Sequence, residues 1–292
     1  MGVEASPGAR QGSLVVAELD DEPAKTAPRG TVGKGSSAPS GLPPPAQPNS
    51  QRAPSAPQIP KLPLNPDGTI KGGNKALVTA LLSKNAGIFF GDEHGTIEVV
   101  DTFSGLLPTL KASGVRVLFV EIVPFTDPIL EKFQKDGDAK ALKAHLIELG
   151  WDIGADGKWI DHLVNMLAET RKNGIKLCGI DEETDSRRLS PDDRLARANV
   201  HWAWAIRETL AKQPKNEKYV VFGGLGHSKN SSGDKGIEVL LGIPSITPCS
   251  ASELKRDQAL HKDPPTIPMT MAKGAVTRNP HPDQSDFIWK AQ

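Results

Sequence analysis

Val115-Arg116-Val117-Leu118-Phe119-Val120, followed by Glu121, is the clearest strand signal in this sequence of 292 residues. Three similar apolar runs, each followed by a polar or glycine-rich break, occur at residues 86–90, 175–180 and 219–222. Between the runs lie segments of helical periodicity, among them 139–149, 158–171 and 192–212. Apolar strands that alternate with helices predict an α/β fold with a mostly parallel sheet, covered by helices on both faces.

The end of the chain carries weaker strand signals. Residues 243–247 predict a further strand, and residues 286–289 predict a weak edge strand. The polar stretch between them, about 251–284, shows no clear periodicity and predicts no element.

The first 70 residues differ in composition from the rest. Of the 25 prolines, 13 lie within residues 1–66, and no aromatic residue precedes Phe89. Such a segment buries too little apolar surface to offset the loss of chain entropy on folding. We therefore predict a disordered Pro/Gly/Ser-rich leader at 1–70 and a single α/β domain at 71–292, with its core at 75–250.

Composition excludes several functional classes. The 35 basic and 35 acidic residues balance without a basic block, so no nucleic-acid partner is expected. No run of 18 apolar residues exists, so no transmembrane segment is expected. The start at Met1 lacks the features of a cleavable secretory signal, which predicts a cytoplasmic protein or one secreted by another route. Gly2 to Ser6 match the N-myristoylation pattern; one acyl chain there would attach the protein only weakly to a membrane.

Polar side chains follow four of the predicted strands: His94, Glu121, Asp181 and His227. Because the carboxyl ends of parallel strands meet at one edge of a sheet, we expect these side chains to lie close together. A histidine oriented by a carboxylate acts as a general base near neutral pH. Two histidines and a carboxylate can instead hold a divalent metal ion, so both types of site stay open.

Each of these residues also has a simpler interpretation. Glu93 and His94 can cap the helix that follows them, and Asp181 can cap the next helix in the same way. Glu121 can form a salt bridge to a helix, and His227 can be a solvated loop residue. Their recurrence at four strand ends favours a shared site.

The pattern Gly91-Asp92-Glu93-His94-Gly95, then Glu121, then Gly224-Leu225-Gly226-His227, resembles the erythromycin esterase, ChaN-like and Tiki superfamily. The similarity is strongest to its effector-toxin branch, seen in C-terminal domains of dermonecrotic-type bacterial toxins. The match extends over roughly residues 75–250. Further matching positions are Gly114-Val115, Gly174-Ile175, Ile180-Asp181, Arg194 with Asn199, and a helix at 236–242.

The resemblance implies a polar pocket at the carboxyl ends of the strands. Its implied catalytic residues are Glu93, His94, Glu121, Arg194 and His227. Its implied substrate-binding residues are Asp181, Asn199 and Ser228. A divalent metal is the only cofactor that these residues suggest, and its ligands would be His94, Glu121 and His227. Haem is not expected, because haem binders of the group use a tyrosine ligand and Tyr219, the only tyrosine, lies inside a predicted strand.

Two functions from different classes fit these features. The first is a bacterial effector or toxin-like domain that hydrolyses an ester or peptide bond in a small-molecule or host substrate, with a histidine as general base. The second is a non-catalytic module of the ChaN-like fold that binds a ligand or a host protein. The second draws support from the lack of a G-x-S-x-G nucleophile motif.

Overall fold

A computed structural model describes residues 54–67, 69–153, 157–182, 191–214, 217–228, 235–249, 276–278 and 287–290. The strands in these ranges are β1 (Gly87–Asp92), β2 (Val115–Pro124), β3 (Lys176–Asp181), β4 (Lys218–Gly224), β5 (Ser245–Cys249), β6 (Val276–Arg278) and β7 (Phe287–Lys290). The helices are α1 (Gly73–Lys84), α2 (Ile97–Ala112), α3 (Ile129–Asp136), α4 (Ala139–Glu148), α5 (Trp159–Lys172), α6 (Pro191–Ala211) and α7 (Ile237–Leu241).

The seven strands form one sheet in the order β3-β2-β4-β1-β5-β7-β6. The pairs from β3 to β7 are all parallel, and only β6 runs antiparallel to its neighbour β7. Because helices connect the parallel strands along the chain, the sheet is sandwiched between helical layers. The predicted α/β fold with a mostly parallel sheet is confirmed.

Alternating residues of the central strands feed two separate cores, one on each face of the sheet. In β1, Ile88 and Phe90 join the larger core, which α1, α2 and α5 cover, whereas Phe89 joins the smaller core under α6 and α7. All six residues of β1 are buried. This double burial explains why the strand sequences are continuously apolar rather than alternating.

The end of the chain differs from the expectation in its position within the sheet. Residues 287–290 do form a strand, β7, but it is not an edge strand, because it pairs with β5 on one side and β6 on the other. The edge position belongs to β6, a strand of three residues within the stretch that predicted no element. So short a strand in a polar segment leaves no periodicity to detect.

Part of the predicted leader packs on the domain. Ile59 and Leu62 contact the larger core, and Ile70 is buried within it. The backbone of Gln58 is held by two hydrogen bonds with the Asn85 side chain, at 2.9 and 2.8 Å. Packing therefore begins upstream of residue 71. Residues 1–53, which include Gly2 and most of the predicted leader, lie outside the described residues.

Candidate active site

Glu121 lies within β2, not immediately after it, at a break in the regular pairing. On the β3 side, Val120 pairs with Gly179 but Pro124 pairs with Asp181, so β2 uses four residues where β3 uses two. The bulged backbone comes so close to β3 that a Cβ atom on Gly179 would lie 2.4 Å from the Val123 carbonyl oxygen. A bulge that re-aims a side chain is a common device next to active sites.

The Glu121 carboxylate is the centre of a cluster at the carboxyl end of the sheet. Its Oε2 atom lies 3.3 Å from His94 Nε2, and its Oε1 atom lies 3.3 Å from His227 Nε2. The backbone N–H of Gly224, at the end of β4, donates a hydrogen bond to Oε2. The structure thus brings together the three residues that the sequence placed on neighbouring strand ends, around one shared carboxylate.

His94 is held from its other ring nitrogen by Asp92. The His94 Nδ1–H donates to Asp92 Oδ2 at 2.8 Å, and Asp92 is almost fully buried at the end of β1. Asp92 was not among the predicted site residues. Its spacing of two residues from His94 was a signal for it, because side chains at that spacing in extended backbone point to the same side.

His227 is held in the same manner, but by an amide. The Asn199 side chain is fully buried, and its Nδ2 donates to the Lys235 carbonyl at 3.2 Å. This bond orients the amide so that Asn199 Oδ1 faces His227 Nδ1, 2.7 Å away. A carbonyl oxygen can only accept, so Nδ1 carries a proton. Asn199, expected to bind substrate, instead orients a histidine.

Trp202 fixes the plane of the His227 ring. The two rings stack with centroids 3.8 Å apart and an angle of 22° between their planes. Trp202 is fully buried, and it lies three residues after Asn199 on α6, so one helix face supplies both supports of His227. Trp202 was not among the predicted site residues.

Glycines at the end of β4 make room for these contacts. A Cβ atom on Gly223 would lie 2.8 Å from the Trp202 ring, and one on Gly224 would lie 2.8 Å from His94 Nε2 and 3.2 Å from Glu121 Oε2. Any larger residue at either position would displace a site side chain. The glycine pair is therefore part of the site's construction.

The cluster forms one wall of an open cavity of about 340 Å³. The residues that line the cavity are His94, Glu121, Trp151, Asp181, Glu182, Arg194, Leu195, Ala198 and His227. Trp151 approaches His94 edge-on, at 5.1 Å between ring centroids. A cavity of this size that combines several titratable groups with an aromatic wall can hold a small substrate or one segment of a polypeptide.

The remaining predicted site residues divide into two groups. Asp181 and Arg194 line the cavity. In contrast, Glu93 and Ser228 are not among the described residues that line it. The Glu93 carbonyl accepts a hydrogen bond from the N–H of Thr96 before α2, and the buried Ser228 closes a turn by donating its N–H to the Leu225 carbonyl. Glu93 precedes His94 and Ser228 follows His227, so each adjoins a site histidine along the chain without lining the cavity.

Mutual contacts set the charges of the cluster. Burial by itself would lower the pKa of His94, but the hydrogen bond to Asp92 and the contact with Glu121 outweigh it and raise the pKa to about 10. Burial would raise the pKa of Glu121, but the contacts with His227 and His94 hold it well below its usual range. His94 is therefore an imidazolium and Glu121 a carboxylate at neutral pH.

Two imidazole nitrogens and a carboxylate are donors that suit zinc and similar ions. Among the residues that the structure describes, however, no group of three or more His, Cys, Asp or Glu side chains has the arrangement of a metal site. Glu121 instead contacts each of the two histidines directly, at 3.3 Å.

Comparison with known proteins identifies the family. A family profile described as "Type III effector protein HopBA1" matches residues 81–255, which is more than half of the chain. The chain belongs to the HopBA1 family of type III effectors. All the residues of the Glu121 cluster lie within the matched range. The sequence resemblance to an effector-toxin branch thus narrows to the HopBA1 family.

Individual HopBA1 relatives agree with this assignment. The type III effector protein HopBA1 of Pseudomonas syringae pv. aptata is 29% identical over 172 residues, which cover 56% of this chain and 70% of that protein. The solved structure of the type III effector HopBA1 has the same fold, with a TM-score of 0.57 at 23% identity, over 78% of this chain and 99% of that one.

A toxin domain is a more distant neighbour of the HopBA1-family fold. RRSP, a MARTX toxin effector domain from Vibrio vulnificus CMCP6, aligns with a TM-score of 0.46 and 21% identity. The alignment covers 62% of this chain and 36% of that chain.

Within the ranges that the structure describes, no helix is both long and apolar enough to cross a bilayer.

Proposed function

We propose that this HopBA1-family effector is a hydrolase of ester or peptide bonds, with water as the nucleophile and His227 as the general base. The observation that carries the proposal is a single carboxylate, Glu121, that contacts the Nε2 atoms of two histidines, 3.3 Å from each, on the wall of the cavity. A carboxylate shared in this way keeps both rings aimed at one place, which catalysis requires and core packing does not.

The contact with Asn199 supports the base role of His227. The Asn199 Oδ1 atom keeps a proton on His227 Nδ1, so Nε2, on the side of Glu121 and the cavity, is the ring nitrogen that gains and loses a proton. When Nε2 accepts a proton from water, the Glu121 carboxylate, 3.3 Å away, stabilises the imidazolium that forms. The Trp202 ring beneath it prevents the imidazole from turning away.

His94 and Arg194 supply positive charge for the same reaction. The pKa of His94, raised to about 10, keeps the imidazolium charged through the physiological range, so it is suited to stabilise charge rather than to accept a proton. Arg194 reaches the cavity from α6. Both groups can face the oxyanion that forms on the substrate carbonyl oxygen.

Water, His227, His94 and Arg194 carry the proposed hydrolysis. A water oxygen attacks the acyl carbon, and one water proton moves to His227 Nε2. The carbonyl oxygen becomes an oxyanion that His94 and Arg194 stabilise. Collapse of the tetrahedral intermediate breaks the bond between the acyl carbon and the leaving group. The proton that His227 took from water is delivered to the leaving group, directly or by exchange within the cavity and solvent, and the acid product leaves.

Membership of a type III effector family indicates where the protein acts. Type III effectors work after delivery into a host cell, so we infer that the substrate is a host protein or a host small molecule. The cavity, at about 340 Å³ and open to solvent, suits the reacting segment of a larger substrate as well as a small ester.

The test replaces each histidine by asparagine, whose amide nitrogen takes the place of Nδ1 and keeps the contact to Asp92 or Asn199. His227→Asn and His94→Asn should each lower hydrolysis of a panel of p-nitrophenyl esters and fluorogenic peptides by about 100-fold or more. His145→Asn is the matched control, because His145 forms a similar ion pair with Asp127 away from the cavity. It should keep wild-type activity.

Thermal unfolding of all three variants checks that each one folds. If the wild-type protein turns over no member of the panel, and both site variants still cause the effector phenotype in host cells, the hydrolase proposal is wrong. If the site variants lose the phenotype without any measurable turnover, the non-catalytic alternative gains support, because the His94 and Arg194 charges would then serve to bind an anionic ligand.

A further inference from the structure

Asp181 ends β3 at the cavity, and its backbone is held from two directions. Its carbonyl oxygen accepts a hydrogen bond from the Phe125 N–H at 3.0 Å and faces His201 Nε2 of α6 at 3.2 Å. These two contacts fix the residue between β2 and α6. The Asp181 side chain is therefore presented to the cavity by a rigid backbone rather than by a loose loop.

The charged groups around Asp181 come from every neighbouring element. Glu121 lies on β2, Arg194 on α6 and His227 after β4, and each of them lines the same cavity. The next residue, Glu182, also lines the cavity and forms an ion pair with Arg197 at 2.7 Å. Among the carboxyl groups of the cavity, Glu121 contacts two histidines and Glu182 pairs with Arg197, which leaves Asp181 as the one without an ion pair among the contacts of the described residues.

The surroundings of Asp181 shift its pKa upward. Burial raises the pKa of Asp181, and the charge of Glu121 raises it further. Three contributions lower the pKa without reversing the shift: the backbone N–H of Glu182, the side chain of Trp202 and the charge of His227. Glu121, which lines the same cavity, has its pKa shifted down. Two carboxyl groups of one site with pKa values shifted in opposite directions are typical of an acid and a base or charged partner.

We propose that Asp181 is the proton donor to the leaving group, a role that rests on the proposed hydrolytic function. As the tetrahedral intermediate collapses, the bond between the acyl carbon and the leaving oxygen or nitrogen breaks. The Asp181 carboxyl proton moves to that atom, and Asp181 becomes a carboxylate. The proton that His227 took from water then returns to Asp181 through solvent, so that both groups regain their starting states.

The test uses two esters of the same acid that differ in their need for a proton. The leaving group of p-nitrophenyl acetate departs readily as an anion, whereas that of ethyl acetate needs protonation. Asp181→Asn should lower kcat on ethyl acetate by about 100-fold or more, and on p-nitrophenyl acetate by less than about 10-fold. Glu182→Gln is the matched control, because it removes the neighbouring carboxylate of the cavity rim, and it should leave the ratio of the two rates unchanged.

The outcomes separate this inference from the function on which it rests. An equal loss on both esters would show a structural role for Asp181 and overturn the inference while the hydrolase stands. A wild-type protein that hydrolyses neither ester counts against the hydrolase itself. Infrared difference spectra of wild type minus Asp181→Asn at neutral pH then decide the state of Asp181. A carboxylic acid C=O band supports the proton-donor role of Asp181, and a carboxylate band overturns it.

Discussion

Two regions of this protein pair histidine with a carboxylate, and they differ in what surrounds the pair. Away from the cavity, His145 Nε2 lies 2.6 Å from Asp127 Oδ2. In the cavity, the contacts from Glu121 to His94 and His227 are longer, at 3.3 Å each. The His145–Asp127 pair joins one ring to one carboxylate, whereas the cavity cluster shares one carboxylate between two rings. The Glu121 and Asp127 side chains are similarly exposed, at 13% and 15%, so sharing, rather than burial or a short distance, distinguishes the candidate active site.

Removal of the shared carboxylate should give the largest effect. Glu121→Gln removes the carboxylate from two histidines at once and leaves the charged His94 beside a neutral amide, so the free energy of unfolding should fall by about 3 kcal/mol. Asp127→Asn removes a carboxylate that contacts a single histidine and should cost about 1 kcal/mol or less. Urea unfolding of both variants measures the difference. Equal losses would mean that the cluster is no more than an ordinary ion pair.

The pH dependence of stability should report the charge on His94. Because folding raises the pKa of His94 from 6.5 to about 10, its contribution to stability is fully present below pH 6.5 and is lost as the pH rises to about 10. At roughly 1.4 kcal/mol per pKa unit, the contribution amounts to a few kcal/mol at most. The stability difference between wild type and His94→Asn should therefore shrink over this range in urea unfolding.

A direct NMR titration of the His94 ring provides the check. The ring resonances should stay constant from pH 6 to pH 8 in the folded protein. A midpoint near 6.5 would show that Asp92 and Glu121 do not hold the proton on His94, so the cluster would not favour the charged ring.

Filling the space beside the cluster should have the smallest effect on stability. In Gly224→Ala the new methyl group would lie 2.8 Å from His94 Nε2, so we expect a loss of about 1–3 kcal/mol together with reduced hydrolysis. Gly226→Ala is two residues away, and its methyl group would meet Leu195 at an ordinary 3.5 Å. Thermal unfolding should find Gly226→Ala close to wild type. Equal Tm values for the two variants would contradict the close packing at Gly224.

Much of the fold could be predicted from the sequence because strands buried on both faces leave continuous apolar runs. The runs around Phe89 and Phe119 predicted β1 and β2 directly, and the periodic segments at 139–149, 158–171 and 192–212 predicted α4, α5 and α6. The pairing of β7 with β5, and the edge position of β6, could not be predicted, because three- and four-residue strands carry too little pattern and strand order depends on contacts distant in sequence.

The site shows the same division between local and distant information. His94, Glu121 and His227 could be predicted to meet, because parallel strands bring their ends to one edge. The supporting roles of Asn199 and Trp202 could not, because they depend on how α6 is rotated about its axis when it packs on the sheet. That rotation follows from side-chain packing, which a single sequence does not display.

Helix α6 carries a cavity residue and both supports of His227 within nine consecutive positions, Arg194, Asn199 and Trp202 among them. Each added residue in a helix turns everything beyond it by about 100° and advances it by about 1.5 Å. A single insertion or deletion in this stretch would swing either Arg194 or Trp202 out of place, whatever the identity of the inserted residue. The length of this segment is consequently under a stricter constraint than its composition, and variation in related chains should take the form of substitutions here and of length changes in the connecting loops.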